Sequence, residues 1–454
     1  MNTQISRRDF FKIAGGAVLL TAGGSMLPRF LHKTLLPEQV VTAAGTDYDL
    51  YLAGTDGWGW LPPTPAIPPY HPDPYGADYT PPGVDPFTTY IFGFRNVTGL
   101  TDTQRENQRN KTQHNAPFFW ADQEQELRVQ LTNLGLALRP DLTDAHTIHW
   151  HGFRNVIPFY DGEPHGSVSV SVGQVFTYVY RPHDPGTYMY HCHVEDVEHV
   201  TMGMTSLVFV RPLQNGNTAL YPSGKYAYND GDGSTGYDRE NALFLSEIWA
   251  EGHWNDAHIQ GTDWSLFKAD FSMINGRVHP YTLLPNSPIN LAASTHALTF
   301  QTDSNGDLMT NSELEHLQYN PHSALITCNV GERVLLRFAN LGFREEAMTL
   351  AGIKMKVVGR DATIMRGRDG TDTSYLTNTI LIGAGESYDV IFEAPAYQGP
   401  GPYDTYILYN RRYTQDSNLG PGGYGGQRTE VRVYPAGTLG PQQYLNQHPD
   451  DIVA

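Results

Sequence analysis

Two cysteines in 454 residues, Cys192 and Cys328, leave no disulfide framework to hold a fold together. Positive charge is also scarce. Thirty Lys+Arg stand against 48 Asp+Glu, a formal net charge of -18. That balance argues against nucleic acid or an anionic membrane surface as a partner. Charged residues of both signs make up only 17% of the chain. No unit of about 20–50 residues repeats and no helical heptads occur, which sets aside solenoids and coiled coils. What is abundant points the other way. Gly (45), Pro (31) and Tyr (27) are frequent, as in a β-rich, turn-rich protein, and the length suits two or three domains. Eighteen histidines accompany the two thiols, and several crowd into one short stretch.

The N-terminus reads as an export signal. Ser6-Arg7-Arg8-Asp9-Phe10-Phe11-Lys12 is a twin-arginine pattern, followed by an apolar run from Ile13 to Leu27 and a small-residue patch, Val41-Thr42-Ala43-Ala44. Together these resemble a Tat signal covering residues 1–43. The apolar run is too short and glycine-rich for a stable span. The expected location is the periplasm or the exterior, with no membrane insertion after signal removal. Removing five Lys/Arg and two Asp/Glu with the signal would take the net charge from -18 to about -21.

Residues from about 46 to 90 are rich in Pro and Tyr, as in Leu61-Pro62-Pro63-Thr64-Pro65. So many prolines predict an extended arm instead of helix or central strand. Alternating runs then predict half-buried strands: Leu127 to Asn133, Val168 to Val172, Thr177 to Tyr180 and Ser206 to Val210. Residues 44–212 form one expected β-sandwich with its N-terminal arm, and 213–240 a polar linker. A second sandwich spans 241–437, with strands at Ala242–Leu245, Glu332–Phe338, Ile353–Val358 and Tyr388–Phe392. Residues 280–325 read as an insertion, the stretch around 419–426 as a loop and 438–454 as a tail. The two series look like distant copies of one unit, since Thr132-Asn133-Leu134 and Ala339-Asn340-Leu341 end strands in similar ways.

Chemistry concentrates in two segments of the first sandwich, His146-Thr147-Ile148-His149-Trp150-His151-Gly152 and His191-Cys192-His193 with Glu195, His199 and Met204. Residues two apart in a strand share a face. His149 and His151 therefore face one site, as do His191 and His193, while Cys192 and His146 face another. Cys192, His146 and His199 with Met204 axial is the ligand set of a blue-copper centre. The other site is all imidazole, which suits copper with open positions for a small molecule. One Cys with this many His fits no closed zinc pattern. His114, His165, His183 and His279 read as loop or surface residues, and Cys328 as a buried, inert thiol.

These motifs resemble the multicopper oxidases, the family of laccases and ascorbate oxidase. The resemblance implies an all-β protein of two cupredoxin-like Greek-key sandwiches, the second without copper. It implies that His146, Cys192, His199 and Met204 bind type 1 copper, His149 type 2 copper, and His151, His191 and His193 type 3 copper. Asp161 and Glu195 would be carboxylates beside the cluster that help deliver protons to O₂. A small-molecule or metal-ion donor would give electrons to the type 1 site, and Cys192, peptide-bonded to His191 and His193, would pass them on. The Met-poor second half argues mildly against a dedicated Cu(I) oxidase.

The chain departs from the family in one respect. A complete trinuclear cluster takes eight His, this chain offers four, and no His-x-His follows residue 212. The longer 192-to-199 spacing also requires a bulge before His199. Two chains could pair so that four and four make eight, giving a homo-oligomer, or a partner copper protein could supply the rest. A trimer-shared type 2 site, as in copper nitrite reductases, is the alternative enzyme, although those lack a His directly after the Cys. A blue-copper electron-transfer or copper-storage protein is the non-enzymatic alternative.

Overall fold

The computed structural model describes residues 49–62, 88–418 and 425–454. The expected export signal, the proline-dense part of the expected arm and most of the 419–426 loop lie outside these. The first domain contains β1 (Leu50–Trp60), β2 (Thr88–Asn96), β3 (Phe119–Asp122), β4 (Leu127–Gly135), β5 (His149–His151), β6 (Val175–Tyr180), β7 (Gly186–His191) and β8 (Thr205–Arg211). They form two four-stranded sheets, β2-β1-β4-β6 and β3-β8-β7-β5. β1 runs parallel to β4 and β3 to β8, while the remaining pairs are antiparallel, the mark of Greek-key connections. Leu127, Val129 and Leu131 of β4 alternate with Arg128 and Gln130 and enter a core with Phe92, Phe94, Tyr178, Tyr190 and Val208.

One expectation is corrected here. Leu50–Trp60, assigned to the extended arm, is an interior strand, paired on both sides by β2 and β4. The prolines of this region begin only at Pro62, so nothing in the strand itself lacks a backbone donor. Val168–Val172 also forms no named strand; only Val170 pairs, with His146. His114 is buried, not at the surface, and burial pushes its imidazole pKa down to about 3.

The second domain contains β9 (Arg239–Ile248), β10 (Phe271–Ile274), β11 (Ile326–Asn329), β12 (Arg333–Asn340), β13 (Glu346–Leu350), β14 (Met355–Arg360), β15 (Thr363–Ile364), β16 (Tyr375–Thr377), β17 (Thr379–Ile382), β18 (Ser387–Glu393), β19 (Asp404–Asn410) and β20 (Arg428–Tyr434). One sheet runs β10-β9-β12-β18-β14-β15, with β16 on β14, and the other β11-β20-β19-β13-β17. Leu243, Leu336, Phe338, Met348, Val390 and Val431 fill the space between.

The second domain repeats the first bond for bond. β9 is parallel to β12 as β1 is to β4, and β11 to β20 as β3 is to β8. Asn133 Nδ2 donates to the carbonyls of Asp144 and Val170, and its Oδ1 accepts from Gly135 N. Asn340 Nδ2 donates to the carbonyls of Arg344 and Ile382, and its Oδ1 accepts from Gly342 N. The repeat therefore pairs Asp144 with Arg344 and His146 with Glu346. Cys192 N donates to Met204 O at 3.0 Å, and Asn410 N to Gln427 O at 2.9 Å. Cys192 thus corresponds to Asn410 and Met204 to Gln427.

A buried ionic network ties the domains at the foot of β7. Asp389 of β18 accepts from Thr187 N (3.2 Å), Thr187 Oγ1 (2.6 Å) and Tyr228 Oη (2.6 Å). Arg337 bridges Asp389 (3.1 Å) to Glu240 (2.6 Å). Buried charges of this kind persist only when each is paired and hydrogen-bonded. β7 leads directly from this clamp to His191.

Candidate metal centre

The two metal segments meet because β5 pairs with β7, His149 opposite His191. His146 precedes β5, on the side away from those two imidazoles. Cys192 Sγ lies 3.2 Å from His199 Nδ1 and 4.0 Å from His146 Nδ1, and all three residues are buried. Donor atoms that each sit about 2.0–2.3 Å from one first-row ion are about 3–4 Å from one another, so the three fit a single metal. Met204 closes the group: a Cβ on Gly54 would meet its Cε at 3.4 Å and the His146 ring at 2.7 Å. The backbone holds the thiol as well, through Thr147 N donating to Sγ at 3.5 Å. The helix α2 (Asp196–Met202), after α1 (Asp102–Glu106), takes up the extra residues between Cys192 and His199 and delivers His199.

The electrostatics suit a thiolate. Burial pushes the Cys192 thiol up, but His199 and His146 more than offset it and hold the group well below the usual thiol range. His199 answers in kind: burial opposes its charge, yet the Cys192 and Asp144 charges raise its pKa to about 10. Asp144 Oδ2 stands 3.6 Å from His199 Nε2. Gly54 has no room for a side chain, so Gly54→Ala is expected to displace His146. Copper titration followed through the copper–thiolate colour should show affinity down about 10- to 100-fold. Unchanged affinity would show that His146 is not held there.

The four remaining imidazoles face one another. Ring centroids of His149 lie 4.8 Å from His193, 5.1 Å from His191 and 6.1 Å from His151. Three of the rings tie one nitrogen to a backbone carbonyl. His149 Nδ1 donates to Asp161 O (2.8 Å), His191 Nδ1 to Cys192 O (2.8 Å) and His151 Nε2 to Gly385 O (3.2 Å). A carbonyl can only accept, so each bonded nitrogen carries the proton and the other is a free lone pair. Metal-ligating histidines are held in this way. The free nitrogens include His151 Nδ1 and His191 Nε2, 3.3 Å apart. Burial lowers the pKa values of His149 and His151 and takes that of His191 down to about 3, so the rings stay neutral and able to ligate. His193 N is fixed by Thr147 Oγ1 at 2.9 Å.

The expected carboxylates divide. Asp161 sits with the imidazoles, its Oδ1 3.4 Å from His149 Nδ1, and burial raises its pKa. Glu195, expected beside the cluster, instead groups with Asp144 and His199 at the sulfur-bearing end. Its backbone is left-handed (φ 47°) at the N-cap of α2. Sequence reasoning missed Asp144, Gly54, Thr147 and Gly385. Only Gly385 left a trace, in the recurrence of Gly173-Gln174 as Gly385-Glu386.

In the second domain the corresponding places hold other chemistry. Glu346, Asn410 and Gln427 stand where His146, Cys192 and Met204 stand. Gln415, from α4 (Tyr413–Ser417) after α3 (Ala250–Ala257), takes the part of His199. The four bond to one another: Asn410 Nδ2 to Glu346 Oε2, Gln415 Oε1 (3.4 Å) and Gln427 Oε1 (2.7 Å), and Gln427 Nε2 to Glu346 Oε1 (3.1 Å). They are a carboxyl–amide quartet, joined to Glu247 through Gln415 Nε2 (3.3 Å).

Sequence signatures described as multicopper oxidase match residues 99–215 and 246–422. The chain belongs to the multicopper oxidase family. This oxidoreductase shares its fold with the blue copper oxidase from Nitrosomonas europaea (21% identity, 84% of this chain and 85% of that one, TM-score 0.53). The multicopper oxidase mgLAC is similar too (19% identity, 88% and 90% covered, TM-score 0.54). No curated protein matches the sequence.

Proposed function

We propose that this multicopper oxidase takes electrons singly from a donor at the Cys192 site and reduces O₂ to water at a type 2/type 3 cluster that two chains build together. Copper, when bound, would supply one-electron oxidation at the first site and multi-electron reduction of O₂ at the second. His146, Cys192, His199 and Met204 would hold the type 1 ion, and His149, His151, His191 and His193 half of the cluster. The observation that carries the reading is the set of inward-turned, neutral imidazoles, of which His191 is one peptide bond from a buried thiolate. Asp161 is the residue positioned to hold and release protons there; Glu195 is not.

The repeat supports a second copy of the first domain as the partner. The second-domain counterparts of His149, His151, His191 and Cys192 are Thr349, Ala351, Tyr409 and Asn410, which offer no imidazole. A head-to-tail ring of chains would therefore set four His against none. A two-fold pairing sets four against four. Export by the Tat route, with folding and copper loading before translocation, belongs to the same proposal and rests on the Ser6–Lys12 pattern.

Copper content with solution mass is the test. One type 1 ion plus half of three predicts about 2.5 copper per chain in a dimer. About two per chain in a trimer would favour a nitrite-reductase-like site, and about one in a monomer an electron-transfer protein. Either result would overturn the shared cluster.

A further inference from the structure

The turn between β17 and β18 belongs to the domain without copper ligands, yet it reaches the imidazoles. Gly385 N donates to Asn340 O at 2.8 Å, and Asn340 N to Glu386 O at 3.1 Å. Gly383 N donates to Glu386 Oε2 at 2.8 Å, and Arg360 pairs with the same carboxylate. The turn is thus braced from β12 and β14. The first domain builds the same turn, with Gly173 N on Asn133 O at 2.8 Å and Asn133 N on Gln174 O at 3.1 Å. Both glycines are left-handed, φ +75° at Gly173 and +80° at Gly385, where side chains are strained.

The two turns differ in their surroundings. A Cβ on Gly173 would meet nothing within 4 Å among the described residues. A Cβ on Gly385 would meet His151 Cε1 and Nε2 at 3.3 Å, tight enough to push the ring. Gly385 O is the acceptor of the His151 Nε2 proton, and that bond leaves His151 Nδ1 facing His191 Nε2.

We infer that Gly385 is a positioning residue for His151, and that the copper-free domain sets the tautomer and tilt of a ligand in the copper-bearing one. The inference rests on His151 being a ligand, as proposed above. His151 would bind through Nδ1, whereas His149 and His191, anchored at Nδ1, would bind through Nε2. The second domain, having no ligand of its own, supplies the carbonyl that aims one of the first domain's.

Gly173 provides a matched control. Gly385→Ala and Gly173→Ala carry the same backbone strain in the same turn, but only the first adds a contact to a histidine. In copper-free, full-length protein with ¹⁵N-labelled histidine, His151 should be protonated at Nε2 in the wild type and in Gly173→Ala. In Gly385→Ala the Nε2–H signal should be lost or mixed with the other tautomer. Copper affinity at the imidazole site should fall about 10- to 100-fold in Gly385→Ala alone, with the copper–thiolate colour unchanged. Glu386→Ala, which loosens the brace without strain at Gly385, should give a smaller change of the same sign and serves if Gly385→Ala does not fold. An Nδ1-protonated His151 in the wild type, or equal behaviour of the two glycine variants, would overturn the inference. The tautomer is read without metal, so it stands or falls separately from oxygen consumption, which tests the proposed function.

Discussion

His149→Ala is expected to abolish oxygen consumption and leave the copper–thiolate colour intact. His149 is the hub of the imidazole group, with all three other rings within about 6 Å of its own. Its ring is held by Asp161 O, so deleting it leaves that carbonyl with Trp150 N alone as donor (3.4 Å). His146, three residues earlier, lies on the opposite side with Cys192 and His199, and none of the thiol's contacts involves His149. Activity on an oxygen electrode should drop to background, and copper content from about 2.5 toward about one per chain. Retained oxidase activity would remove the four-imidazole site from the mechanism. Loss of colour together with activity would mean that the two sites are not independently built.

Glu346→Gln is expected to remove most of a pH dependence of stability that the wild type shows in its second domain. Burial raises the Glu346 pKa from 4.5 to about 8, with Glu247 adding to the shift and the Gln427 and Asn410 bonds only partly offsetting it. A carboxyl whose folded pKa is raised stabilises the fold fully below the unfolded value. As pH rises from about 4.5 to 8 the unfolded chain gives up a proton that the folded one keeps, so this stability is lost across that window. The full loss is on the order of 5 kcal/mol, a large part of a typical domain's stability. The glutamine variant has no proton to lose. Its unfolding midpoint should match or fall slightly below the wild type's at pH 5 and exceed it at pH 9. Parallel pH profiles for the two proteins would show that Glu346 is not the titrating group.

The metal segments were the legible part of the site. Period-two alternation separated Cys192 and His146 from His149, His151, His191 and His193, and the pairing of β5 with β7 realises that division. The two-sandwich fold was legible from the same alternation, and the matched Asn133 and Asn340 marked its repeat. The proline count misled over Leu50–Trp60 because composition averages a proline-free strand with the proline-dense segment after it. Glu195 misled because its place in the motif does not fix its neighbours in the fold, where its carboxylate groups with Asp144 and His199. Gly54 acts through backbone room and Asp144 through a carboxylate met only in the fold, and neither leaves a pattern along the chain, whereas Gly385 shows only as a turn shared with Gly173.

The carboxyl–amide quartet also sets what building a soft-metal site in the second domain would take. Restoring a soft-metal site would need His, Cys, His and Met at positions 346, 410, 415 and 427. Any one of these changes breaks bonds of the buried network and strands a polar group, at about 1–3 kcal/mol each. No ion repays that cost until at least three ligands are in place. The second domain is therefore kept apart from metal binding by its own hydrogen bonds: one substitution gives up bonds of the quartet and gains no ion in return.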